Sequence, residues 1–130
     1  MREIQFRGKL IKNNKWVCGD LIHDTQNNVY VYPLWSEGLY IGNRVLPDTV
    51  GQFTGLHDKN GTDIYEGDIV HLDAWSPYAM QVVFMEGAFC LANKDGEFLG
   101  DIHYIHHAGV EQCTILGNIH DNPELLNKEG

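Results

Sequence analysis

The sequence has few of the features that usually carry chemistry. It holds no GxxxxGK[ST] and no GxGxxG stretch, which excludes the common glycine-rich phosphate cradles. Its two serines, Ser36 and Ser76, lie in no GxSxG-like elbow, so a hydrolase nucleophile of that kind is excluded too. The three cysteines, Cys18, Cys90 and Cys113, are odd in number, far apart and without a CxxC pair. That pattern argues against a disulfide framework and for free thiols in a reducing compartment. No apolar run approaches the roughly 20 residues of a membrane helix. The polar, alternating N-terminus predicts no secretory leader. The expectation is a cytoplasmic domain without membrane association, without a cofactor and without enzymatic activity.

Bases are scarce as well: nine Lys and Arg stand against eighteen Asp and Glu, for a net charge of −9. The distribution is uneven. Residues 1–16 carry five bases (Arg2, Arg7, Lys9, Lys12, Lys15) and one acid, Glu3, whereas the rest of the chain has four bases and seventeen acids. Affinity for a phosphate backbone rests on Lys and Arg displacing counterions, so the composition disfavours nucleic acid as a general partner.

What is present is a core and the punctuation of a β-protein. At 130 residues with 43% hydrophobic and 21% charged residues, the chain fits one globular domain, residues 1–130, able to bury its own core. Fourteen glycines separate short apolar segments, as tight β connections require. The alternation of Ile4 and Phe6 with Glu3, Gln5 and Arg7 reads as a half-buried strand. Asn13-Asn14 reads as a turn, and Trp16–Ile22 as the second strand of an opening hairpin within residues 1–33. A turn at Asn27-Asn28 precedes Val29–Tyr32, which Pro33 stops. Residues 34–48 form a variable segment with at most a short strand at Leu39–Ile41.

The β core is expected over residues 49–120. Val50–Leu56 reads as a strand, followed by His57–Gly61, where Asn60-Gly61 predicts the positive φ angles of a tight turn. Ile64–Leu72 holds a corner at Gly67, and Met80–Met85 and Ala88–Ala92 make a hairpin around Glu86-Gly87. Asn93–Gly96 is another turn, and Val110–Ile119 a last long strand. Asp121-Asn122-Pro123-Glu124 then predicts a short helix over residues 122–127, with proline at its first position and an acid in its first turn. The fold class is mainly β: a small β-barrel-like or curled antiparallel sheet, which limits exposed edges, with a short C-terminal helix.

Four segments are distinctive as words. Met1–Gly8 (MREIQFRG), Val50–Gly61 (VGQFTGLHDKNG), Ile64–Val70 (IYEGDIV) and Leu116–Leu126 (LGNIHDNPELL) resemble, in this order, the YopX family of small proteins found largely in bacteriophages and prophages. Residues 23–47 and 93–109 lie outside these words. The resemblance implies a mostly β fold and a phage or mobile-element origin. It carries over no catalytic residue.

Three histidines in five residues, His103, His106 and His107, are candidate metal ligands. On a strand only His103 and His107 share a face, so closure would need a distant partner such as His71 or His120; an exposed strand edge explains the same residues. Tyr65-Glu66-Gly67-Asp68 offers carboxylates on a strained turn, but local roles account for them: Gly67 makes the corner and Asp68 accepts nearby amides. His57-Asp58 and His120-Asp121 lack a nucleophile. The loop aromatics Trp35, Tyr40, Trp75 and Tyr78 are candidate interface anchors. The leading expectation is therefore a non-enzymatic interaction or assembly module whose partner is a host or phage protein, or a second copy of the chain. The alternatives are a nucleic-acid-related role (a weak single-strand binder using the basic N-terminus, or an acidic DNA mimic) and a metal-dependent hydrolase.

Overall fold

Alternation of apolar and polar residues over short glycine-bounded runs produces eleven strands in the computed structural model, which describes residues 2–33, 43–72, 79–102 and 113–127. They are β1 (Phe6–Lys9), β2 (Trp16–His23), β3 (Val29–Tyr32), β4 (Arg44–Val45), β5 (Gly51–His57), β6 (Asp63–Tyr65), β7 (Asp68–Leu72), β8 (Ala79–Met85), β9 (Ala88–Ala92), β10 (Phe98–Asp101) and β11 (Cys113–Asn118). The described residues form two antiparallel sheets, one in the order β4-β3-β2-β1-β5-β6 and one in the order β10-β9-β8-β7-β11.

Among the described residues neither sheet closes on itself, so the expected barrel is replaced by two open sheets. The edges are managed differently. β4 has two residues and β6 three, too short to template another strand. β10 is bulged between Phe98 and Gly100, and β11 between Ile115 and Gly117. Short and bulged edges achieve what closure would have achieved.

The chain divides into two compact units, Met1–Phe53 and Thr54–Gly130. In the first, Val29, Val31, Val45 and Leu10 form a small core joined by Val17, Leu21 and Val50. β2 alternates to supply Val17 and Leu21, and β3 supplies both of its valines. Gly19 is required for the pairing of β2 with β3, because a Cβ there would overlap the carbonyl of Tyr32. The first strand begins at Phe6 rather than at Glu3, and Ile4 is exposed.

In the second unit, Ile64, Val70, Leu72, Met80, Val82, Leu91, Ile102 and Cys113 form the larger core. β7, between β8 and β11, is covered on both faces: Ile69 and Val70 are both fully buried. Gly67, at φ 94°, turns the chain from β6 into β7. Its N–H donates to the Val82 carbonyl (2.8 Å), and its own carbonyl accepts the Ile119 amide (2.9 Å). The amide of Tyr65 donates to buried Asp68 (2.8 Å). The expected C-terminal helix is a five-residue 3-10 turn, Pro123–Asn127. Its start is fixed by the Leu125 amide donating to the Asn122 carbonyl, and so short a segment cannot sustain α-helical pairing.

Three connections use one device that the sequence did not suggest as a repeat. At Asp24, Asp58 and Asn93 the side-chain Oδ1 accepts the amides two and four residues on, at 2.9–3.0 Å. The fourth residue of each loop takes a left-handed conformation: Asn27 at φ 65°, Gly61 at 82° and Gly96 at 78°. In the Asp58 loop the positive φ falls on Gly61 alone, not on Asn60, because a type I turn followed by a left-handed residue replaces the mirror-image turn. The mirror-image form occurs instead at Glu86-Gly87, where both residues have positive φ (51° and 85°).

Candidate functional site

The pairing of β1 to β4 sorts side chains onto two faces. The inward face carries Gly8, Leu10, Val17, Leu21, Val29, Val31 and Val45, and space is tight: a Cβ on Gly8 would lie 3.1 Å from the Val45 side chain. Directly opposed residues in an antiparallel pair project to the same side, so the outward face follows from the register. Lys9 lies opposite Trp16 and Arg7 opposite Cys18. Asp20 lies opposite Tyr32, Ile22 opposite Tyr30, and Tyr30 opposite Arg44.

The result is an aromatic and basic sheet face. The Arg7 guanidinium sits 4.6 Å from the centroid of the Trp16 ring and Lys9 Nζ 5.5 Å from it, within the range of cation–π attraction. The Tyr30 and Tyr32 rings stack with centroids 6.4 Å apart and planes at 28°. Cys18, Asp20, Ile22 and Arg44 are exposed, and Ile22 keeps 48% of its surface in water. The Tyr30 hydroxyl donates to Asp24 Oδ2 (3.1 Å), which fixes the ring and raises its pKa. Asp24 is held down at about 2, first by the Asn28 side chain and then by the loop amides. Residues 1–53 hold six bases and five acids; residues 54–130 hold three bases and thirteen acids. The cations are therefore concentrated where this face is built.

The residues singled out in the sequence fall elsewhere. Trp35, Tyr40, Trp75 and Tyr78, and likewise His103, His106 and His107, lie outside the described residues. Among the described residues no group of three or more His, Cys, Asp and Glu side chains is placed to hold a metal ion. His57 pairs with Asp63 at 2.9 Å. The neighbouring Asp58 turns into its own loop and on to β11, accepting the Ile115 amide. Asp121 accepts the Asn118 side-chain amide (3.1 Å). Cys90 borders a surface hollow of about 420 Å³ with Met85, Glu86, Ala88 and Asp101. Burial, then Asp101 and Glu86, push its thiol pKa up, the opposite of what activates a nucleophile.

Tyr30, Tyr32, Ile22 and Arg44 lie on strands, not among the loop aromatics expected from the sequence to anchor a partner. The signal was there: Val29-Tyr30-Val31-Tyr32 alternates core valines with aromatics, which a pleat must send to the opposite face. The aromatic ring beside Arg7 is that of Trp16.

The comparisons with known proteins speak to ancestry. The family model described as YopX protein matches residues 5–127. The chain belongs to the YopX family. The match runs through residues 23–47 and 93–109, where the word-level resemblance was weakest. Among solved structures, the chain is similar to the crystal structure of protein EF1440 from Enterococcus faecalis, with 26% identity, a TM-score of 0.62, and coverage of 97% of this chain and 99% of that one. No curated protein matches the sequence. No described helix is long and apolar enough to cross a membrane.

Proposed function

We propose that this YopX protein is a non-enzymatic interaction module, encoded by a phage or prophage, that engages its partner through the outward face of β1 to β4. One observation supports this above the others. A sheet whose inner face already packs its core turns three aromatic rings, Ile22 and three cations to the other side. Large rings and arginine are the side chains that dominate recognition energetics when a partner excludes water from them. The Asp58 carboxylate is engaged in its own loop and on β11, and the Cys90 thiol is buried with its pKa raised.

Cys18 gives a direct test, since it is exposed at the centre of this face while Cys90 and Cys113 are buried. A photo-crosslinker attached to Cys18 should capture a defined partner from the native host, and Ile22→Asp should abolish the capture. Capture that is indifferent to Ile22→Asp would place recognition elsewhere.

A further inference from the structure

We propose that the occupant of this face is a single-stranded nucleic acid, with bases stacking on Tyr30 and Tyr32 and phosphates met by Arg44, Arg7 and Lys9. The proposal rests on the reading of β1 to β4 as the recognition face and names its partner. Three features favour a single strand over a protein. Ile22 is the single strongly exposed apolar side chain on the face among the described residues, which leaves rings and cations, the groups that meet bases and phosphates, as its main contacts.

The rings also lie at the spacing of alternate strand positions, with centroids 6.4 Å apart and planes at 28°, two aromatic side chains in a row for a flexible chain to meet. Stacking of this kind accepts any base. The charge on the face fits as well. Arg7, Lys9 and Arg44 outnumber the two acids at the face, Asp20 opposite Tyr32 and Asp24 on the Tyr30 hydroxyl. Duplex DNA offers no unstacked bases to such a surface.

The chain's net charge of −9 opposes a polyanion, and it sets the strength of the interaction rather than its site. Its acidic excess lies in residues 54–130 rather than on the strands that build this face. Binding should thus be weak and steeply dependent on salt. Three phosphate contacts on a single strand predict a log–log salt slope of about −2, so a tenfold rise in salt weakens binding about 100-fold.

The experiment is a fluorescence-anisotropy titration of the whole chain into labelled oligothymidine about fifteen nucleotides long, near 20 mM and near 200 mM salt. Folding of each variant is checked by circular dichroism. Tyr32→Ala should weaken binding by about tenfold or more. Arg44→Ala should weaken it and flatten the salt slope by about 0.7. Asp20→Asn should tighten it by about twofold to threefold, by removing a repelling charge. No binding near the lower salt, a preference for duplex, or affinities unmoved by both Tyr32→Ala and Arg44→Ala would each overturn the proposal. A protein captured at Cys18 alongside no oligonucleotide binding would remove the nucleic-acid partner and leave the interaction-module reading intact. Failure of both would remove both.

Discussion

The carboxylate of Asp58 accepts the amide of Ile115 at 3.2 Å, across 57 residues of sequence. The same side chain closes its own loop through the amides of Asn60 and Thr62, and the Lys59 amide donates to the Cys113 carbonyl. One buried acid thereby fixes both a hairpin turn and the strand β11 beside it.

Replacing that acid should be costly. Asp58→Ala leaves three amides without their acceptor at a position that is 7% exposed, and a buried unsatisfied donor costs about 1–3 kcal/mol. The expected loss is about 3 kcal/mol in urea unfolding. A loss well under 1 kcal/mol would show that water replaces the carboxylate.

Acid should destabilise the protein through two of the loop acids. Burial raises the pKa of Asp58, but the amides of Thr62, Ile115 and Asn60 outweigh it, leaving a net downward shift; Asp24 is lowered from 3.8 to about 2. A carboxyl with a depressed folded pKa adds stability above its unfolded value, and that stability is lost as pH falls through the folded value. For Asp24 the window runs from about pH 4 down to about pH 2. Urea midpoints measured across that range should fall, and Asp24→Asn should flatten part of the decline.

Two glycines should differ in their tolerance of alanine. At Gly19 the new Cβ meets the backbone carbonyl of Tyr32, which cannot retreat without breaking the pairing of β2 with β3. The expected cost of Gly19→Ala is about 3 kcal/mol or more. At Gly117 the nearest atom is Asn122 Oδ1, 2.5 Å away, a side-chain end that can rotate. Gly117→Ala should cost about 1–2 kcal/mol. Equal losses in thermal unfolding would contradict this assignment.

The thiols should react one at a time. Cys18 is exposed, and Cys90 and Cys113 are buried, so a disulfide-exchange reagent at neutral pH should modify Cys18 promptly and the other two on unfolding. Burial raises the Cys90 pKa, which further lowers its thiolate fraction. Prompt modification of all three in the native state would contradict the packing around Cys90 and Cys113.

Much of the fold is readable locally. Trp16–Ile22 and Val29–Tyr32 alternate clearly, and Glu86-Gly87 marks its hairpin. The two-residue strand Arg44–Val45 is too short to leave a period. The bulge between Ile115 and Gly117 breaks the simple alternation expected of the last strand. The choice between a barrel and two open sheets depends on pairings such as β1 with β5 and β7 with β11. These join segments far apart in sequence, and no local pattern encodes them. The outward face of β1 to β4 had the same difficulty. Arg7, Lys9 and Trp16 were visible as a basic and aromatic stretch, but only the register brings Tyr30, Tyr32 and Arg44 beside them.

The central claim is that recognition occurs on the outward face of β1 to β4. Amide chemical-shift mapping of the isotope-labelled protein, titrated with oligothymidine at low salt, tests it most directly. Shifts should concentrate at Arg7, Lys9, Trp16, Cys18, Ile22, Tyr30, Tyr32 and Arg44. Shifts clustered instead in β7 to β11, or no shifts at all, would contradict it.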